Sequence, residues 1–354
     1  MALNVSNTSS ENCLFLDTNQ QSLDYISIAN IIAGVLNAIF ALIATSSNAV
    51  VLISFWKTPN LHTPQNSLLF WIAFADLLVG ALVQPLDVLQ RIMEELNNIG
   101  MYCSVRLAKN ALAWIIASVS FCILTTISVE RLVALLKPLQ HNTLVTHSRI
   151  LLLVALYWVL CIVLYMARFA GLPNQTFLGI ASVVTFVNLT INVVSYFKIF
   201  KVIKRHQRRI HDEAALSNRL HGQMAPIEMK RFKTFTLTAV YIVTLVILFY
   251  VPFICYLVAY MIFGFIGPVK LAYICLETLS YVNSSVNPFI YSYRLRSIRE
   301  AIYKTAPKLF FWREDNFSHY NLEASTKNNQ TTTNMWGNEN DIRIEKKISI
   351  ATVQ

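Results

Sequence analysis

Apolar residues run along this chain in seven long stretches, at about 26–55, 66–89, 107–129, 149–168, 177–200, 234–263 and 269–293, parted by short polar or basic segments. A helix of ~20 apolar residues, rising ~1.5 Å per residue, crosses a ~30 Å hydrocarbon layer. The third stretch is the plainest: Asn110 to Val129 carries no charge, with Lys109 at one end and Glu130-Arg131 at the other. About 33 Å of helix separates Lys109 from Arg131, which assigns the two cations to opposite faces of a bilayer. Lys109, Ala113, Ser120 and Arg131 then fall near one helical face. The pattern predicts an all-α seven-transmembrane helix bundle over 26–293, preceded by an extracellular tail at 1–25. A short interfacial eighth helix is expected at 294–312, where RLRSIREAIYK places cations and apolar residues at amphipathic spacing. The Asn/Thr/Lys-rich remainder, 313–354, reads as a disordered cytoplasmic tail.

Composition narrows the class. With 55% apolar and 14% charged residues, too little polar surface remains to cover a soluble core of this length. The net charge of +10 is not a nucleic-acid signal, because its placement follows the spans and no RNA- or DNA-binding motif is present. With the N-terminus outside, the outer segments hold Arg91, Arg106, Lys109, Arg168 and Lys270. About twenty other Lys and Arg lie in the inner loops and just after the seventh span, the positive-inside arrangement. The expectation is a multi-pass chain of the plasma membrane, its basic side against anionic inner-leaflet lipid. Residues 1–25 contain no Lys or Arg and no apolar core of a cleavable signal, so the first span must direct insertion. Asn4 and Asn7 are glycosylation acceptors in the outer tail, and Asn174 is one in the second outer loop. Cys13, Cys103, Cys255 and Cys275 belong to the oxidising side, and the sequence leaves their pairing open.

Polar residues inside the spans carry the functional signal. Asn48, Asp76, Ser120, Asn283 and Asn287 come from four spans, each near mid-depth. An unpaired charge such as that of Asp76 costs ~3 kcal/mol or more at the bilayer centre, so these residues must converge inside one bundle. Kinks are expected at Pro85, Pro252 and Pro288, with Asp87 beyond the first of them. The basic run KIFKVIKRHQRRIHDE reads either as the fifth helix extending past the membrane or as a solvated basic face. Every His lies in a loop or tail, which removes an intramembrane enzyme. A transporter, with its repeat symmetry and paired broken helices, is the remaining alternative class, and neither feature is present.

On these residues the chain resembles the rhodopsin-like (class A) G-protein-coupled receptors over about residues 30–305. The match is carried by Asn48, Ala75-Asp76, Glu130-Arg131-Leu132, Pro138-Leu139, Trp158, Tyr196, Pro252 and Asn287-Pro288-Phe-Ile-Tyr291. The resemblance implies an extracellular ligand in the outer half and nucleotide exchange on a heterotrimeric G protein inside. Glu130, Arg131, Tyr196, Pro252, Asn287, Pro288 and Tyr291 would form the switch, and Pro138-Leu139 would meet the G protein. It also suggests Na⁺ bound by Asp76 and Ser120, with Asn283 and Asn287 close by; no other cofactor is called for. No lysine lies between Ala272 and Tyr293 of the seventh span to hold a retinal Schiff base, and Ala113 stands where the family's amine receptors keep an Asp.

Departures point to a subgroup. Arg106 occupies the usual third-span Cys position, the second outer loop has no Cys, Asn188 replaces the fifth-span proline and Tyr250 the sixth-span tryptophan. Phe232 stands where an acidic partner for Arg131 is usual. The lost disulfide and proline resemble the melanocortin, cannabinoid and lysophospholipid receptors, and the last two carry a basic residue at the position of Lys109. Two ligand readings follow. Lys109 and Arg106 would receive the head group of an anionic amphiphile above apolar walls of Trp114, Tyr250, Phe253, Leu257 and Tyr281. Alternatively, Asp87 and Glu277 neutralise Lys109, and a peptide is the better ligand.

Overall fold

The computed structural model describes residues 13–16, 23–217, 248, 251–294 and 296–305. The chain forms helices α1 (Asp24–Lys57), α2 (Pro64–Leu78), α3 (Gln84–Glu95), α4 (Ile99–Leu136) and α5 (Pro138–Leu144). These are followed by α6 (His147–Met166), α7 (Asn174–Ser217), α8 (Val251–Phe263), α9 (Gly267–Arg294) and α10 (Arg296–Thr305). Five of the described stretches are long and apolar enough to cross a membrane: α1, α2 with α3, α4, α6 and residues Asn174–Arg205 of α7. With α8 and α9 they make the seven-transmembrane all-α bundle. Asn4, Asn7, Phe232, Tyr250 and the segments 306–312 and 313–354 lie outside the described residues.

The third-span helix is the central rod. α4 packs against α2, α3, α6 and α7, while α1 packs against α2, α3, α9 and α10. Leu68, Ile72, Val119, Ile123, Ile150 and Val154 fill the core between α2, α4 and α6, with Trp158 beside them. Outward faces carry large apolar side chains such as Leu42, Leu152, Phe186 and Phe197, which fits lipid rather than water as their surroundings. The basic run after the fifth span continues one helix, α7 extending 44 residues to Ser217. α10 buries Ile298, Ala301 and Ile302, its apolar stripe, and packs on α1 and α9.

The kink expected at Pro85 takes the form of a π-helical turn at Val79–Val83 between α2 and α3. Proline has no N–H to continue the ladder, and a π turn absorbs the gap by adding a residue. One added residue turns the following helix by ~100°. As a result α3 directs its polar face inward, burying Gln84, Asp87, Gln90 and Arg91. The turn also presses on α1: a Cβ on Gly80 would stand 2.8 Å from the Ala44 Cβ and the Thr45 nitrogen.

Cys13 and Cys103 form the disulfide, and Cys255 and Cys275 are free. The short segment Cys13–Leu16 is a tight turn closed by reciprocal backbone bonds of 3.1 Å. It is fastened by the disulfide to the start of α4.

Candidate functional site

The N-terminal ends of α3 and α4 and the start of α9 meet around four charges. Lys109 on α4 donates to Glu277 Oε1 on α9 at 2.7 Å and to Asp87 Oδ1 on α3 at 3.3 Å. Arg91, one turn beyond Asp87, grips it with two bonds of 2.7 and 3.1 Å and lies 3.5 Å from Glu277. Lys109 and Asp87 are each 0% exposed. Charges removed this far from water must be paired and hydrogen-bonded, and the remaining lone pairs are met accordingly. Asn37 donates to Asp87 at 2.8 Å, Tyr273 and Tyr281 donate to Glu277 at 2.6 and 2.9 Å, and Asn30 accepts from Arg91 at 3.1 Å. Two cations and two carboxylates leave the cluster neutral.

Of the two readings of Lys109, the structure shows the pairing with Asp87 and Glu277, and Tyr281 supports Glu277. Arg106 is likewise buried, its guanidinium near the Tyr102 and Phe265 rings at 5.7 and 5.3 Å. Asn30, Asn37 and Arg91 were missed. Asn30, Asn37 and Asn48 lie on the buried stripe of α1, and that spacing was the available signal.

Beside the charges lies a packed aromatic cluster between α4, α6, α7 and α8. Tyr165, Phe177, Leu178 and Leu257 are its buried core, with Trp114, Phe253, Tyr256 and Tyr260 partly buried around it. Rings adjoin one another from Trp114 to Phe177 at 5.2 Å, Trp114 to Phe253 at 6.0 Å and Tyr256 to Tyr273 at 5.5 Å. The expected wall residues Trp114, Phe253 and Leu257 are therefore together. Ala113 sits deeper, against Ala75, Val79, Ile116 and Tyr281. Arg168, at the end of α6, lies over the rings of Phe15 and Phe177 at 4.0 and 4.5 Å. It also donates to Asn110 and Asn174 at 3.4 and 2.8 Å. Asn174 in turn donates to the Tyr260 hydroxyl at 3.1 Å. A separate cavity of about 230 Å³ at the same end is lined by Asp24, Asn30, Glu94, Glu95, Tyr102 and Lys270.

At mid-depth, Asn287 donates to Asp76 at 2.8 Å, and Asn48 donates to the Ser284 carbonyl at 3.0 Å. The second polar group at Asp76 is the Ser284 hydroxyl. Ser120 and Asn283 were expected beside Asp76, yet among the described residues no hydrogen bond joins either to it. Helical spacing alone does not distinguish Asn283 from its neighbour Ser284. The Asp76 carboxylate and the Ser284 hydroxyl supply oxygen donors that fit a hard cation, while Asn287 turns its NH2 to the carboxylate.

At the opposite end, Glu130 is shared. His141 on α5 meets its Oε1 at 2.8 Å, and the Arg131 Nε lies 3.2 Å from Oε2. The second contact is ionic without hydrogen-bond alignment, since Oε2 is otherwise unpartnered. Arg131 is accordingly weakly held and 38% exposed at its side chain. Tyr196 packs with Ile199 and Ile203 against Leu132 and Leu135. Asn192, one turn before Tyr196, ties α7 to α4, donating to Thr125 at 2.7 Å and accepting from Ser128 at 2.6 Å. Leu139 is 95% exposed at the start of α5. Pro252 lies in α8, and Pro288 and Tyr291 fall within α9.

Comparison with known proteins agrees with this arrangement. The sequence model of the 7 transmembrane receptor (rhodopsin family) matches residues 47–178 and 170–291. The chain is 27% identical to trace amine-associated receptor 8b of Rattus norvegicus, over 74% of its own length and 82% of that protein's. It is 28% identical to trace amine-associated receptor 7e of the same species, over 76% and 81%. It is 25% identical to the alpha-1D adrenergic receptor of Homo sapiens, over 78% and 56%. The family match spans the shared polar core and the inner switch motifs alike, and the chain belongs to the rhodopsin-like (class A) G-protein-coupled receptors, which are membrane signalling receptors and not enzymes.

Proposed function

We propose that this receptor lies in the plasma membrane with its N-terminus outside, binds a peptide there and activates a heterotrimeric G protein within. The observation that carries the peptide reading is the neutral, buried cluster of Arg91, Lys109, Asp87 and Glu277. An anionic amphiphile needs an unpaired cation near the mouth, and Lys109 is held between two carboxylates. An ammonium ligand, of the kind the relatives' names indicate, needs an unpaired carboxylate. Ala113 supplies none, and Asp87 and Glu277 are both engaged. Recognition then falls to the aromatic cluster of Trp114, Phe253, Leu257, Tyr256 and Tyr260, which suits the ring-bearing residues of a peptide. On the inner side, the exposed Leu139 is suited to enter an apolar pocket of the G protein, and Arg131 to change partners on activation.

The test is a panel of peptides, amines and lysophospholipids applied to expressing cells, with nucleotide exchange as the readout. Peptides alone should give saturable responses. A saturable response to an amine or an anionic lipid, with none to any peptide, would overturn the peptide reading.

Na⁺ at Asp76 belongs to the same proposal, with the Ser284 hydroxyl as a further oxygen donor, Asn287 holding the carboxylate, and Ser120 and Asn283 in the outer coordination. A cation there would favour the state in which these helices stay together. Agonist affinity should fall with added NaCl in wild type and lose that dependence in Asp76→Asn. Equal sodium sensitivity in both would place any sodium effect elsewhere.

A further inference from the structure

The aromatic cluster includes a ring from the N-terminal segment, Phe15. Phe15, from the disulfide-fastened turn Cys13–Leu16, packs on the same cluster as Trp114, Tyr165, Phe177 and Leu257. It meets Tyr165 edge-on at 6.3 Å and Phe169 at 5.1 Å, and the Arg168 guanidinium covers its face at 4.0 Å. Arg168 also donates to the Phe15 carbonyl oxygen at 3.4 Å. Both features of an aromatic amino-acid unit, ring and peptide carbonyl, are thus recognised.

The turn is built to present that ring. Leu14 has φ of 61°, a left-handed backbone that a leucine adopts at a cost of about 1–3 kcal/mol. Cys13 and Leu16 are buried on either side, while Leu14 is exposed. Reciprocal backbone bonds and the link to Cys103 hold the strained residue in place. Phe15 bridges two groups, packing against Cys13, Leu16 and Tyr102 on one side and against Arg168 and the aromatic cluster on the other.

We infer that this cluster is a recognition subsite for an aromatic residue of a peptide ligand, occupied by Phe15 in the ligand-free receptor and vacated when the ligand's ring enters. The inference rests on the peptide reading above and adds which residue type is read and what it displaces. Arg168 serves as the clamp for either occupant, donating to the carbonyl and stacking on the ring. Phe15 competes with the ligand at high effective concentration, because the disulfide keeps it at the cluster.

The probe is the acetylated, amidated tetrapeptide Ser-Leu-Phe-Leu, with photoreactive p-benzoylphenylalanine in place of its Phe. It is applied to the full receptor in membranes. Wild type, Phe15→Ala and Leu14→Ala receptors are compared at matched surface expression, with the Cys13–Cys103 linkage checked by peptide mapping. Labelling should rise about tenfold or more in Phe15→Ala and stay at the wild-type level in Leu14→Ala. Excess Ser-Leu-Phe-Leu should compete and Ser-Leu-Ala-Leu should not. If Phe15→Ala fails to reach the surface, the paired change Cys13→Ser with Cys103→Ser releases the turn and should give the same gain. Equal labelling of wild type and the released receptor, or labelling that Ser-Leu-Ala-Leu competes equally well, overturns the subsite. Labelling reads occupancy and not signalling. A labelled cluster in a receptor that no peptide activates would therefore overturn the peptide function alone.

Discussion

Lys109 shows how one residue's meaning depends on its partners. From the sequence it is a cation one turn outward of Ala113, equally suited to a ligand or to Asp87 and Glu277. The pairing prevails because a buried ammonium without a carboxylate costs several kcal/mol, whereas two carboxylates are within reach. Lys109→Met should therefore destabilise the receptor by about 3–5 kcal/mol, leaving Asp87 and Glu277 with Arg91 alone. Adding Glu277→Gln restores neutrality and should recover most of that loss. Thermal inactivation of the solubilised variants measures both, and an unimpaired single variant would mean the cluster is not buried as described. At the other end, Glu130 divides its oxygens between His141 and Arg131. Glu130→Gln should loosen both contacts and raise ligand-free nucleotide exchange several-fold, read in membranes at equal receptor density. Exchange at or below the wild-type level would show that Glu130 does not restrain Arg131. Asp76, Asn287 and Glu130 were legible as single polar residues in apolar spans. Arg168 was legible only as an outer cation, because its ring and carbonyl contacts come from segments distant in sequence.

Among elements, the joint between α2 and α3 decides the site. Pro85 announced an interruption, but not that it would be a π turn, since an added residue leaves no mark on local propensity. Without that turn, Asp87 and Arg91 would face another direction and Lys109 would have lost its partners on α3. Gly80 lets the joint lie against α1. Gly80→Leu should force Ala44 and Thr45 apart at a cost of about 1–3 kcal/mol or more. Reduced surface expression and a lower inactivation temperature are expected, and wild-type stability would refute the close approach. The apolar lengths of the spans, by contrast, were legible throughout, because hydrocarbon thickness leaves helices little freedom. Which face of α7 turned inward was not: it follows from neighbours, as the buried Asn192 shows.

For the molecule as a whole, the proposed orientation, N-terminus outside, rests on the charge bias along the sequence. Protease added to intact cells should remove an N-terminal tag and spare a C-terminal one; the reverse pattern would invert every assignment of outer and inner made above. The central claim is that this bundle is a nucleotide-exchange receptor whose inner switch turns on Arg131. Arg131 shares Glu130 with His141 and is 38% exposed at its side chain, and on the proposed switch role some exchange is expected without ligand. The most direct measurement is binding of a non-hydrolysable GTP analogue to G protein in membranes carrying wild type or Arg131→Ala at matched surface density. Ligand-free binding should be clearly higher in wild type, and equal binding in the two would contradict the account.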